Sequence, residues 1–310
     1  MPARPPLAAS PTTIPALAVG VLAISASGPM IAYAAAPALA IAFWRNAMAT
    51  GVLAPAALLR RRDELAYLVR GPGRREAMFC LLAGVALAAH FVTWVPSVKL
   101  TTVAAATALG ATQPVWQGLI AVGQGRRLTA VTWLGIAVAV AGAIVATGAD
   151  VGVSARAVLG DLLAVAGGLA AAVYTALGER ARVTTSTTSY TAVCYAVCAL
   201  LLLAVCLLGR VPLTGYPATA WLALVGLTVG PQLLGHSLFN FALRRVSATT
   251  ISVLILLEVP GATVIAWVWL GQAPRSAAWP GLAMLVAGVA IVVLAAGRTS
   301  RGTLLAAGLQ

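Results

Sequence analysis

Residues 84–99 read GVALAAHFVTWVPSVK and residues 230–245 read GPQLLGHSLFNFALRR, and a single offset of 146 lays Gly84 on Gly230, His90 on His236 and Lys99 on Arg245. His90 and His236 are the two histidines of the chain, so an offset that superposes them and their neighbours is a signature of internal duplication. Outward from these stretches the same offset lays Pro114 on Pro260, Gly125 on Gly271, Trp133 on Trp279, Gly135 on Gly281 and Gly142 on Gly288. The chain is read as a tandem repeat.

Of its 310 residues 61% are hydrophobic and 9% charged, with a mean hydropathy of +0.97. Soluble domains carry about a quarter charged residues, so this composition belongs in a bilayer. Apolar segments run at 14–33, 38–59, 76–97, 101–123 and 129–149, and again at 158–178, 187–208, 218–242, 247–270 and 278–297. Each is near the length that one membrane-crossing helix needs. Isolated strands would leave backbone groups unpaired in lipid, and these runs are too long and too little alternating for a barrel. The expectation is an all-α membrane protein of ten transmembrane helices. It has a first repeat at 14–149, a second at 158–297, and tails at 1–13 and 298–310.

The net charge of +13 would suit nucleic acid if it formed one soluble patch, but the Lys and Arg residues sit in short loops between apolar spans, so no nucleic-acid partner is expected. One predicted face collects Arg4, Arg60, Arg61, Arg62, Arg70, Arg74, Arg75, Arg126, Arg127, Arg180, Arg182, Arg244, Arg245, Arg298 and Arg301; the other has Lys99, Arg156, Arg210 and Arg275. Fifteen against four, with Arg45 set aside, places both termini in the cytoplasm of a multi-pass cytoplasmic-membrane protein. Five spans is an odd number, so the second repeat enters the membrane upside down relative to the first. Inverted repeats of this kind underlie alternating access in many carriers. The run ending at Ala32-Tyr33-Ala34 mimics a signal peptide, yet cleavage would delete the counterpart of residues 160–178, and it is read as an uncleaved first span.

Cys80, Cys194, Cys198 and Cys206 lie in apolar stretches without zinc-site or disulfide spacing and read as small buried hydrophobes. Phosphate-loop, zinc-protease and nucleophile-elbow patterns are absent, so neither a cofactor, a metal nor an enzymatic reaction is expected. The expected partners are a small-molecule substrate and the lipid bilayer, with a homodimer left open.

Chemistry should come from polar groups at membrane depth. Asp63, Glu64, Glu76, Asp150, Asp161 and Glu179 fall in loops or at helix ends, and Glu258 alone among the acids sits mid-helix. A carboxyl there is expensive unless paired or hydrated, which favours a cavity and makes a proton carrier reasonable; the alternative is a fixed structural partner for another helix. Arg45, within FWRNA at 43–47, is the basic residue deep in a span. It either grips an anionic group or pairs with Glu258, or it snorkels to the outer interface. Gripping an anion would hint at anionic or zwitterionic solutes such as amino acids.

His90 and His236 hold equivalent positions, expected on opposite sides of the midplane. Each could gate, shuttle protons or bridge helices. Pro114 and Pro260 fall near the centres of the fourth and ninth spans, where each removes a backbone donor, and interrupted helices often mark a binding site. Thr112, Gln113, Gln117 and Glu258 lie beside these breaks. Trp94, Trp133, Trp221, Trp267, Trp269 and Trp279 sit near predicted helix ends as an interfacial belt would, which leaves Trp44 and Trp116 as candidates for a cavity wall. Asn240 is a further polar candidate, with Gln232, Tyr174 and Tyr190 behind it. Gly135, Gly142, Gly281 and Gly288 suit close helix packing.

LAAHFVTW at 87–94 with QPVW at 113–116, and LGHSLFN at 234–240 with ALRRVSATTISVLILLEVPGA at 242–262, resemble the EamA family of the drug/metabolite transporter superfamily, as does FWRNA at 43–47. The resemblance covers nearly the whole chain. It implies ten helices in two inverted EamA repeats, a central cavity between the inner helices of each half, peripheral fifth and tenth helices, and movement of small metabolites or drugs, often outward. Family members commonly carry an acid after the glycine that ends the fourth and ninth helices; here Arg126 and Gln272 stand there, and Val259 separates the family's Glu-Pro pair. The expected function is therefore a secondary transporter, an exporter of small metabolites such as amino acids or drug-like solutes, coupled to protons through Glu258. The alternative is a membrane scaffold or sensor that retains the transporter fold.

Overall fold

A computed structural model describes residues 12–147, 154–274, 276 and 278–306; most of the N-terminal tail with Arg4, the loop with Asp150, Arg275 and residues 307–310 lie outside them. Among the described residues every regular element is helical. The first repeat contains α1 (Thr13–Ser25), α2 (Ser27–Tyr33), α3 (Ala38–Arg60), α4 (Arg62–Val69), α5 (Arg74–Leu100), α6 (Val103–Gly110), α7 (Gln113–Gly123) and α8 (Ala130–Thr147). The second contains α9 (Ala155–Ala181), α10 (Thr187–Leu208), α11 (Ala218–Leu227), a π-helical stretch Thr228–His236, α12 (Ser237–Ala242), α13 (Ala248–Ile255), α14 (Glu258–Leu270) and α15 (Ala278–Ala306).

Among the described residues seven helical stretches are long and apolar enough to cross a membrane: Thr13–Tyr33, Arg74–Leu100, Ala155–Ala181, Thr187–Leu208, Ala218–Ala242, Ala248–Leu270 and Ala278–Ala295. Ala130–Ala146 is a shorter apolar helix. Their outer faces leave large apolar side chains such as Leu208, Val268 and Leu200 exposed, which makes sense in lipid and not in water. The chain is a multi-pass membrane protein.

Local sequence sets where helices begin and end. Thr102, Ser154, Ser186 and Ser247 each accept a hydrogen bond from the backbone N–H three residues on, capping α6, α9, α10 and α13. Gly125 and Gly271, one in each repeat, close α7 and α14 at φ values of 77° and 68°, in the left-handed region that glycine enters freely. The polar run Arg62-Asp63-Glu64, expected in a loop or at a helix end, starts α4. Its two acids stand in the first turn, where the helix dipole favours them.

The repeats pack by exchange of equivalent elements. α1 lies against the π-helical stretch and α12, as α9 lies against α5; α3 pairs with α10, and α8 with α15. The last pair is the tightest. A Cβ on Gly142 would stand 2.3 Å from Leu285 N and 2.7 Å from Gly281 O, and one on Gly288 would stand 2.3 Å from Ala139 N and 2.6 Å from Gly135 O. The contacts Gly135–Gly288 and Gly142–Gly281 run antiparallel. Replacing each residue by its counterpart turns one contact into the other.

Candidate functional site

The breaks in the fourth and ninth spans are real interruptions. α6 stops at Gly110 and α7 restarts at Gln113 with Pro114 in its first turn; α13 stops at Ile255 and α14 restarts at Glu258 with Pro260 next but one. At the second break the Leu256 carbonyl, deprived of a donor by Pro260, accepts from Val259 N at 3.0 Å instead. The Gly110 carbonyl faces Gly168, where a Cβ would come within 2.9 Å.

These breaks face a cavity built from both repeats, with about 790 Å³ of empty space when its open mouth is included. α1 supplies Ile24, α2 Ser27, α5 His90 and Trp94, and α6 and α7 Thr107 and Gln113. From the second repeat come Tyr174, Thr175, His236, Phe239, Asn240, Leu243, Ile251, Ile255, Leu256, Glu258 and Val259.

Glu258 is 8% exposed, and its Oε1 has no hydrogen-bond partner. As the first residue of α14 its carboxylate sits at the positive end of that helix. Arg45 is fully buried. It donates from Nε to Gln232 Oε1 at 2.9 Å and from Nη1 to Ser27 Oγ at 3.2 Å, and its guanidinium lies 4.5 Å from the Phe91 ring centroid. Arg45 and Glu258 do not approach within ion-pair distance, so the pairing expected as one alternative is not formed, and snorkelling is not its role either. Gln232 also donates from Nε2 to Asn46 Oδ1 at 3.1 Å, and so ties the π-helical stretch of the second repeat to α3 of the first. Arg45 Nη2 is buried without a partner.

His90 and His236 are brought together: their ring centroids are 6.4 Å apart in an edge contact. Equivalent side chains that touch must lie at the axis relating the repeats. Their environments differ. His90 donates from Nδ1 to the Gly167 carbonyl at 2.9 Å and stacks on Trp94 at 5.8 Å, while His236 packs against Phe91 at 5.6 Å and Tyr174 at 6.2 Å. Asn240 donates to Tyr174 Oη at 2.7 Å, and Gln113 donates to Thr175 Oγ1 at 3.2 Å.

The other sequence candidates lie around this core. Thr112 bonds back to Leu109 O at 2.8 Å beside the break. Gln117 is buried with Oε1 unpaired, and Trp116 has a buried, unpaired Nε1; neither lines the cavity. Trp44 is also outside it, donating to Leu213 O at 2.7 Å and meeting Trp221 edge-on at 5.2 Å. Trp94, assigned to the interfacial belt, is 6% exposed and forms cavity wall. Trp267, Trp269 and Trp279 are exposed.

Beyond the cavity the charged ends of the helices are tied together. Glu179, 2% exposed, pairs with Arg126 at 2.8 Å and accepts from Ala248 N at the start of α13 at 3.3 Å. Arg182 donates to the Asn240 and Thr185 carbonyls and to Thr187 Oγ1. Burial lowers its guanidinium from the ordinary range to about 10, with neighbouring Arg244 second in effect, so it stays charged at neutral pH. Glu64 on α4 accepts from Ser186 N and Ser189 Oγ at the start of α10. Ser27, Thr107 and Thr175 escaped sequence reasoning because a lone hydroxyl in an apolar run is too common a feature to mark a site.

A model of the EamA-like transporter family matches residues 12–148 and again 158–294. The chain belongs to this family. The two matches are the two EamA repeats, and the family places the protein among the drug/metabolite transporters. A solved crystal structure is similar at a TM-score of 0.73 and 22% identity, covering 93% of this chain and 98% of its own. At that identity the likeness is one of fold. No curated protein matches.

Proposed function

We propose that this EamA-family protein is a secondary carrier that moves small metabolites or drug-like solutes out of the cell by alternating access, with Glu258 exchanging protons for substrate. In this reading ten spans form two inverted five-helix repeats in the cytoplasmic membrane, with both termini inside. α3 and the α6–α7 pair supply two spans beyond the apolar stretches described above, and α8 is the remaining one. The antiparallel, exchangeable contacts of α8 and α15 support the inversion, because two copies related by an in-plane axis must meet in this way.

The observation that carries the proposal is the cavity itself. It lies where both repeats meet, at two helix breaks, and its lining includes the nearly buried Glu258, one of whose carboxylate oxygens is unpaired. A static scaffold would gain nothing from leaving that acceptor unsatisfied, which costs roughly 1–3 kcal/mol or more for a charged group.

Reconstitution tests it. Proteoliposomes loaded with a metabolite mixture and placed under an imposed pH gradient should release selected solutes in a gradient-dependent manner, read by mass spectrometry. Glu258→Gln should abolish the gradient dependence. A Glu258→Gln protein that moves the same solutes with unchanged pH dependence removes the coupling role, and wild-type protein that moves none removes the carrier.

A further inference from the structure

Reading the cavity as the substrate site, as above, raises the question of what it selects, and its lining is electrically one-sided. Among the described lining residues Glu258 is the one with a formal charge. Among the described residues six buried side-chain polar atoms lack a partner, on Arg45, Trp116, Gln117, Asp161, Tyr190 and Glu258, and of these residues only Glu258 lines the cavity. The unpaired atom there is an acceptor.

Several other lining groups are engaged with the protein. Thr107 donates to Val103 O at 2.6 Å, Thr175 to Ala171 O at 2.8 Å, Gln113 to Thr175, and Asn240 to Tyr174. Ser27 Oγ receives Arg45 Nη1. Arg45, which suggested an anionic solute from the sequence, is therefore screened from the lining by Ser27 and clamped by Gln232 and Phe91. Elsewhere the cavity lining is largely aromatic and aliphatic, with Trp94, Tyr174, Phe239, Ile251, Ile255 and Leu256. Aromatic faces attract cations, and an apolar wall takes a ring or chain.

We propose that the cavity selects organic cations, an ammonium group on an apolar, ring-sized body, with the ammonium donating to the Glu258 carboxylate. A primary amine supplies the missing donor and charge at once. A carboxylate on the same body would meet a like charge at Glu258.

An isosteric series isolates the head group. Phenethylammonium, phenylacetate, 2-phenylethanol and phenylalanine share the ring and differ in charge, and each is tested for thermal stabilisation of the full-length protein in detergent, since a native-state ligand raises apparent stability. Phenethylammonium should stabilise saturably, the other three little or not at all. Glu258→Gln should weaken its binding about tenfold or more, and Glu258→Asp, which keeps the charge, should retain most of it. The proposal is overturned if phenylacetate or phenylalanine stabilises as well as phenethylammonium, if Glu258→Gln binds the cation undiminished, or if the cation has no effect on wild type. Flux in proteoliposomes separates this from the carrier reading. A cation that binds through Glu258 but is not carried leaves the selectivity standing and ends the carrier, whereas a carried anion insensitive to Glu258 does the reverse.

Discussion

Gln232 holds Arg45 with its amide oxygen and Asn46 with its amide nitrogen, so one side chain of the second repeat fixes two buried polar residues of the first. Replacing it by leucine keeps volume but strips the acceptor from a charged donor that is shut away from water. Gln232→Leu should cost about 1.5–3 kcal/mol, the range for a hydrogen bond to a charged group, measured by denaturant titration in micelles; an unchanged titration would mean that Arg45 is held otherwise. At this scale the sequence was partly legible. Arg45 and Glu258 stand out because a charge inside an apolar run is costly and must have a reason. The partners of Arg45 were not, since Gln232 and Ser27 are 205 residues apart and only folding brings them to one guanidinium. Trp94 was placed at an interface because helix ends are read from linear position, whereas its burial depends on α9 packing over it, with Gly167 against its Cβ.

The helices most readable in advance were those whose residues leave no choice. Glycines seven apart in α8 and α15 implied close packing, and the backbones do touch there. A Cβ at Gly281 would stand 2.2 Å from Ala146 N and one at Gly142 2.3 Å from Leu285 N, so neither can be relieved by a rotamer change. Gly281→Ala or Gly142→Ala should therefore destabilise by about 1–3 kcal/mol, as overpacking does. Gly230→Ala, with nothing within 4 Å of the added carbon, should leave stability unchanged or slightly raised. Melting temperatures of the three variants in one detergent check this, and equal shifts would contradict the packing. Pro114 and Pro260 likewise announced the breaks, because a missing donor must interrupt a ladder. The π-helical stretch Thr228–His236 was not foreseen. Pro231 signals disruption there, yet whether the ladder breaks, as at Pro260, or widens by one residue depends on packing against α1 and α3.

For the molecule as a whole, the repeat was visible from one offset, and the family matches fall on the same two halves. The contact between His90 and His236 was not visible, since equivalence fixes symmetry but not distance from the axis. The asymmetry between the halves, with Glu258 and Gln232 on one side and no acidic or amide counterpart at Thr112 and Ala86, is what would let a symmetric frame hold a directional site. All of this rests on the two copies crossing the bilayer in opposite senses. The four native cysteines are buried, so single cysteines introduced at exposed Thr102 and Arg245 can be read cleanly with a membrane-impermeant maleimide on intact cells. Thr102→Cys should react from outside and Arg245→Cys only after permeabilisation; reaction of both from the same side would contradict the account.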